Sequence, residues 1–140
     1  MKILLAVDGS VYTKRMLAYV AAHDEWLGPN HRYTVVHAVP KIPPHPASFL
    51  DREVIKAYYR DEAEKVFRPI RPFFERHGIE ADYVSPVGYA AAEIAGLADR
   101  GAFDLLMMGS HGHGSVGNLV MGSVATKVLA SCKVPMLLVR

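Results

Sequence analysis

Five short apolar runs, each closed by a turn signal, punctuate this chain, and between them apolar residues recur at helical spacing. The runs are Ile3 to Val7, Tyr33 to Val39, Ile79 to Ser85, Asp104 to Met108 and Val134 to Val139. Continuous apolar runs of this length read as strands buried on both faces of a parallel sheet. Ile79 to Ser85 is less apolar and so belongs nearer an edge. Ser10, with Thr13 as the alternative, is the expected N-cap of a first helix carrying Met16, Leu17, Val20, Ala21, Trp26 and Leu27, stopped by Gly28-Pro29-Asn30. A longer helical pattern runs from about Phe49 to His77, with Ile55, Tyr58, Tyr59, Ala63, Val66 and Phe67 as expected buried positions. Pro69 and Pro72 must kink or break it, leaving a long helix to about Phe67 and a shorter piece to His77. Further helices are expected over Ala90 to Ala98 and Gly122 to Ser131, whereas Pro40 to Pro46 fits no regular element. Strict alternation of strand and helix predicts an α/β fold with a parallel sheet and right-handed crossovers.

In such sheets ligands bind beyond the carboxyl ends of the strands, where strand order reverses. Asp8-Gly9-Ser10, Ala38-Val39 and the stretch from Gly109 onward all follow strands and can converge there. The last of these is glycine-rich: Gly109, Gly112, Gly114, Gly117 and Gly122 are interleaved with Ser110, Ser115 and Ser123. Glycine lets backbone N–H groups approach an anion closely, and the positive end of the following helix points to the same place. After Asp104 the chain carries no acid, while Lys127, Lys133 and Arg140 remain.

Composition narrows the class. With 140 residues, of which 51% are hydrophobic, one packed domain over residues 1–140 is expected. A net charge of +2 gives no reason to expect nucleic acid or an anionic membrane as partner. No apolar run approaches membrane-spanning length, and Ile3 to Val7 is too short for a signal-peptide core. Cys132 is the single cysteine, so a reducing, cytoplasmic setting is expected.

Three phosphate-loop patterns compete. Gly109-x4-Gly114 is followed by Ser115, so the lysine of a Walker A loop is missing. Gly112-His113-Gly114-Ser115-Val116-Gly117 matches a dinucleotide fingerprint, yet it follows the fourth strand and no acid comes after it. The third pattern is Gly109-x2-Gly112-x9-Gly122-Ser123. Together with Asp8-Gly9-Ser10, Val36-His37-Ala38-Val39, Val87-Gly88 and the closing Val134 to Val139, it resembles the universal stress protein family, in its ATP-binding branch, over essentially the whole chain.

The resemblance implies a Rossmann-like three-layer α/β sandwich, with a five-stranded parallel sheet of order 3-2-1-4-5 and a homodimer paired through the C-terminal strand. It implies ATP as the ligand, with or without Mg2+. Asp8 would sit near the ribose or base, Ala38 would offer its backbone to adenine, and Gly109, Gly112, Gly122 and Ser123 would surround ribose and phosphates. Ser110, His111 and Ser115 are loop neighbours within reach of phosphate. Structural roles compete with these: Asp8 as a helix cap, Gly109 and Gly112 in a tight turn, Gly122 in close packing. His111-x-His113 does not complete a zinc site, and His37 reads as a hydrogen-bonded core histidine. The Pro40 to Pro46 connector and the prolines at 69 and 72 depart from the family pattern where the adenine side of the crevice opens.

Phosphoryl transfer needs cationic stabilisation of developing charge, and no Lys or Arg lies between Gly109 and Lys127. The expectation is therefore a small cytoplasmic ATP-binding regulatory protein of the stress response, with slow or no hydrolysis. Two other classes stay open: a nucleotide-independent dimeric interaction module, and a slow ATPase or adenylate-handling enzyme.

Overall fold

Lys2–Ala6 forms β1, and everything from Ile3 to Ala6 is buried. The chain continues as α1 (Val11–Ala22), α2 (Asp24–Leu27), β2 (Arg32–Val36), α3 (Pro44–Ala47), α4 (Arg52–Phe67), α5 (Arg71–Arg76), β3 (Ala81–Val84), α6 (Ala90–Arg100), β4 (Leu105–Gly109), α7 (Ser123–Ser131) and β5 (Met136–Val139). These elements belong to a computed structural model that describes residues 1–114, 118 and 120–140. All strand pairs are parallel and the order is β3-β2-β1-β4-β5, the expected Rossmann-like arrangement. β1 lies at the centre, paired through Ala6 with Val36 of β2 and Met108 of β4. Strand order reverses between β1 and β4.

Alternation along β1 divides the core into two. Ile3, Leu5 and Val7 pack with Met16, Leu17 and Val20 of α1, Phe67 of α4 and Phe74 of α5. Leu4 and Ala6 pack on the other face with Ile94 and Ala98 of α6 and Ala125 and Val128 of α7. Each fully buried Ile or Leu contributes roughly 1.5–3 kcal/mol relative to exposure, so the centre of the sheet is where the fold is anchored. β3 is an edge strand, as its composition implies, and none of its residues is fully buried.

Several expected boundaries shift. The first helix does not run unbroken to Leu27. His23 leaves helical geometry and its Nδ1 meets the Tyr19 carbonyl at 2.8 Å, so a side chain satisfies a carbonyl at the end of α1. Leu27 is buried, but Trp26 is exposed. The connector holds one turn of helix, α3, with Pro44 at its first position, where a fixed φ suits helix entry and the missing N–H is not needed. The connector is also tied down: Ile42 N–H donates to the Tyr59 hydroxyl at 2.9 Å. The long helix starts at Arg52, not Phe49, and Tyr58 is exposed where burial was expected. β2 ends at Val36, and Val39 keeps only an isolated parallel bridge to Val87. Cys132 is half-buried, and burial pushes its thiol up, away from reactive thiolate character. No helix among the described residues is long and apolar enough to cross a membrane.

Candidate functional site

A cleft of about 400 Å3 opens at the carboxyl ends of β1, β2 and β4. It falls where strand order reverses, and its size lies within the range of small-molecule sites. Ala6, Met108, Ile94 and Ala125 give it an apolar lining, while Asp8, His37, His111 and His113 supply its ionisable groups.

Asp8 stands just past β1 and serves two structures at once. Its Oδ1 accepts from Ser10 N–H at 2.9 Å and from Thr13 Oγ1 at 3.1 Å, while Thr13 Oγ1 accepts from the N–H groups of Asp8 and Gly9. This is an Asx-type turn that locks the entry to α1. Ser10 is the N-cap, its Oγ accepting from Tyr12 N–H, so of the two candidate caps Ser10 takes the role and Thr13 braces the turn from within. The other carboxylate oxygen, Oδ2, faces the glycine-rich loop. Burial raises the Asp8 pKa, but the hydrogen bonds from Ser10 and Thr13, together with the nearby His113, outweigh it and leave the carboxyl below its ordinary value.

The motif glycines are sites of close approach within the protein. A Cβ at Gly109 would stand 2.5 Å from Tyr12 Cβ, where β4 meets the start of α1. One at Gly112 would stand 2.5 Å from Asp8 Oδ2, and one at Gly122 would press on the His111 Cα and Ser110 carbonyl at 3.1 and 3.2 Å. Gly122 N–H donates to that same carbonyl at 2.6 Å, returning the loop to its own origin. Gly122 is the N-cap of α7 and offers no side chain to its first turn. The N–H groups that begin a helix have no intrahelical partner, and Ser123 and Val124 at this end line the cleft.

Two imidazoles dock on consecutive carbonyls at the end of β1. His37 Nδ1 donates to the Val7 carbonyl at 2.9 Å, and His113 Nε2 donates to the Asp8 carbonyl at 2.8 Å. The end of β1 thereby holds a wall of the cleft on each side. His111 lies against Tyr12, with ring centroids 5.1 Å apart, and its Nδ1 is 2.9 Å from Ser110 Oγ.

Of the residues singled out in the sequence, Asp8, Ala38, Gly109, His111, Gly112, Gly122 and Ser123 line the cleft together. Ser110 does not: it is buried and turned to His111. Ser115 and Gly117 lie outside the described residues. Thr13, His37 and His113 are cleft residues that read in the sequence as a helix cap, a core histidine and half of an incomplete metal pair. Position just past a strand in an alternating α/β chain is the signal that marks His37. Nothing in the spacing marks His113, whose partner lies 105 residues earlier. Among the described residues, no group of three or more His, Cys, Asp or Glu side chains is arranged to hold a metal ion.

The model of the universal stress protein family matches residues 1–140. A universal stress protein of Thermus aquaticus, encoded in the QAH/OAS sulfhydrylase 3′ region, is 35% identical over 139 residues, covering 99% of this chain and 97% of the relative. The structure of MJ0577 of Methanocaldococcus jannaschii superposes with a TM-score of 0.81 at 25% identity, covering 99% of this chain and 94% of the other. The same fold recurs in an Archaeoglobus fulgidus universal stress protein in complex with dAMP, with a TM-score of 0.69, 21% identity, and coverage of 100% and 98%. It recurs also in a universal stress protein in complex with cAMP, with a TM-score of 0.70, 20% identity, and coverage of 100% and 97%. An Arabidopsis thaliana family protein with AMP bound gives a TM-score of 0.70 at 13% identity, with coverage of 99% and 90%.

Proposed function

Because this chain belongs to the universal stress protein family, we propose that it is a small regulatory protein of the stress response that holds an adenine nucleotide, ATP included, with slow or no hydrolysis. One observation carries the reading. A cleft of about 400 Å3 meets the start of α7 where Gly122 leaves the helix without a side-chain cap. Fold neighbours complexed with AMP, dAMP and cAMP support the adenine class.

In this reading Ala38 offers its backbone to adenine, Asp8 Oδ2 faces the ribose, and Gly109, Gly112, Gly122 and Ser123 surround the phosphates. Ser110 and His111 position the loop. Hydrogen bonds to charged phosphate contribute roughly 1.5–3 kcal/mol each, and a helix N-terminus adds about 0.3–1 kcal/mol. Several together support micromolar affinity after the cost of association. Mg2+ would arrive on the phosphates, since Asp8 is the one carboxylate lining the cleft among the described residues. No Lys or Arg lines it among those residues, which favours retention over efficient phosphoryl transfer. Calorimetric titration with ATP and AMP should give saturable heat at micromolar to sub-millimolar nucleotide; no heat at millimolar nucleotide would overturn the reading.

β5 is the other edge of the sheet and its residues are only partly buried. An apolar edge needs a cover, and a second copy paired along Met136–Val139 supplies one. The homodimer is tested by sedimentation, where a monomer at high micromolar concentration would count against it. The proposed location is the cytoplasm, in keeping with a single cysteine.

A further inference from the structure

We propose that phosphate binding in this cleft is proton-coupled, with His113 taking up a proton that balances the Asp8 carboxylate. The inference rests on the nucleotide reading above and concerns how charge is matched there. No Lys or Arg lines the cleft among the described residues. The sequence has none between Arg100 and Lys127, and residues 115–117 and 119 are Ser, Val, Gly and Leu. Imidazoles are thus the side chains able to bring positive charge to a bound phosphate. The standing charge is opposite in sign, since hydrogen bonds from Ser10 and Thr13 hold Asp8 ionised. A helix N-terminus presents only about half a positive charge. A phosphate entering beside Asp8 meets net repulsion unless a further positive charge appears.

His113 is placed to provide it. A carbonyl can only accept, so the contact from Nε2 to the Asp8 carbonyl at 2.8 Å puts the hydrogen of the neutral ring on Nε2. The lone pair is then on Nδ1, and a proton from solvent adds there without breaking that bond. The imidazolium so formed lines the cleft beside the Asp8 carboxylate, and histidine gains its charge between pH 8 and 5. Its charged and titratable surroundings are few. The β1–α1 turn presents Asp8, and α1 presents Tyr12 behind His111, with Arg15 over the Tyr12 ring at 5.1 Å. The end of β2 presents His37, bonded to Val7. The first turn of α7 carries no acid, and Glu93 of α6 lies against Gly88. Asp8 is the acid that lines the cleft beside His113 among the described residues.

The test compares AMP with adenosine, which lacks the phosphate, in the wild type, His113→Gln and His113→Lys. Glutamine keeps a donor for the Asp8 carbonyl without a charge; lysine keeps the charge at every pH used. The ratio of adenosine Kd to AMP Kd should rise roughly tenfold from about pH 8 to about pH 6 in the wild type. It should stay flat and low in His113→Gln, and flat and high in His113→Lys. The titration of the AMP phosphate itself is common to all three proteins, so the rise, and the flatness of the two variants, are read after each ratio is divided by that of His113→Gln at the same pH. Calorimetry in two buffers of different ionisation enthalpy should show proton uptake with AMP and none with adenosine. A wild-type ratio independent of pH, or the same rise in His113→Gln, would overturn the proposal while leaving nucleotide binding intact. No binding of AMP or adenosine at any pH would overturn the nucleotide reading as well.

Discussion

Two helices, α1 and α7, begin at the same cleft, and their first turns are finished in opposite ways. α1 is closed by its own side chains: Ser10 caps it, and Thr13 and Asp8 bind each other and the backbone around them. α7 starts at Gly122, which has no side chain to give, and is held in place by backbone contact with Ser110 and His111. Both follow a strand at the switch point and both could cradle an anion by position alone. The contrast teaches that a glycine at an N-cap can be a means of leaving donors open. The α1 turn is finished by the protein's own side chains, and the α7 turn is the one the proposed nucleotide would complete.

Breaking the open end should have the largest effect. Gly122→Val drives a branched side chain into the Ser110 carbonyl and His111 Cα and should weaken AMP and ATP binding by about 2–3 kcal/mol or more, the scale of a lost charged hydrogen bond. Far-ultraviolet dichroism should stay near the wild type; unchanged affinity would show that α7 does not hold the phosphate. Breaking the closed end should act on stability instead. Thr13→Val removes the hydroxyl that serves Asp8 and Gly9 and should lower unfolding free energy by about 1–3 kcal/mol, read from urea melts. The smallest effect concerns acid. The folded Asp8 pKa lies below its unfolded value, near 3.9. Its contribution is therefore full above that value and is lost as pH falls through the folded pKa. Asp8→Asn should be less stable than wild type near neutrality, with a shallower loss on acidification; parallel acid limbs would contradict this.

The alternation of strand and helix was legible because periodicity is local: each strand was located to within a few residues, and β3 was recognised as an edge from its composition. What escaped depends on partners distant in sequence or on side-chain rescue. Nothing in the helical spacing foretells that the His23 ring would satisfy a carbonyl and split the first helix, or that Tyr58 would face solvent when Ala63 and Phe67, expected to be buried on the same helix, are buried. At the site, glycine spacing marked the loop but not the purpose of each glycine. Gly112 clears space for Asp8, and Gly109 clears space for Tyr12. Both partners sit about a hundred positions away. Ser110 and Ser123 look alike as loop serines, yet one is buried against His111 and the other lines the cleft.

The central claim is that a nucleotide phosphate is held by the open first turn of α7 and not by the closed first turn of α1. Backbone amide shifts followed during titration with AMP, using adenosine as reference, test it directly. The phosphate-dependent shifts should concentrate on Ser123, Val124 and Ala125, with Tyr12 and Thr13 little changed. Shifts concentrated on Tyr12 and Thr13, with α7 unmoved, would contradict the account.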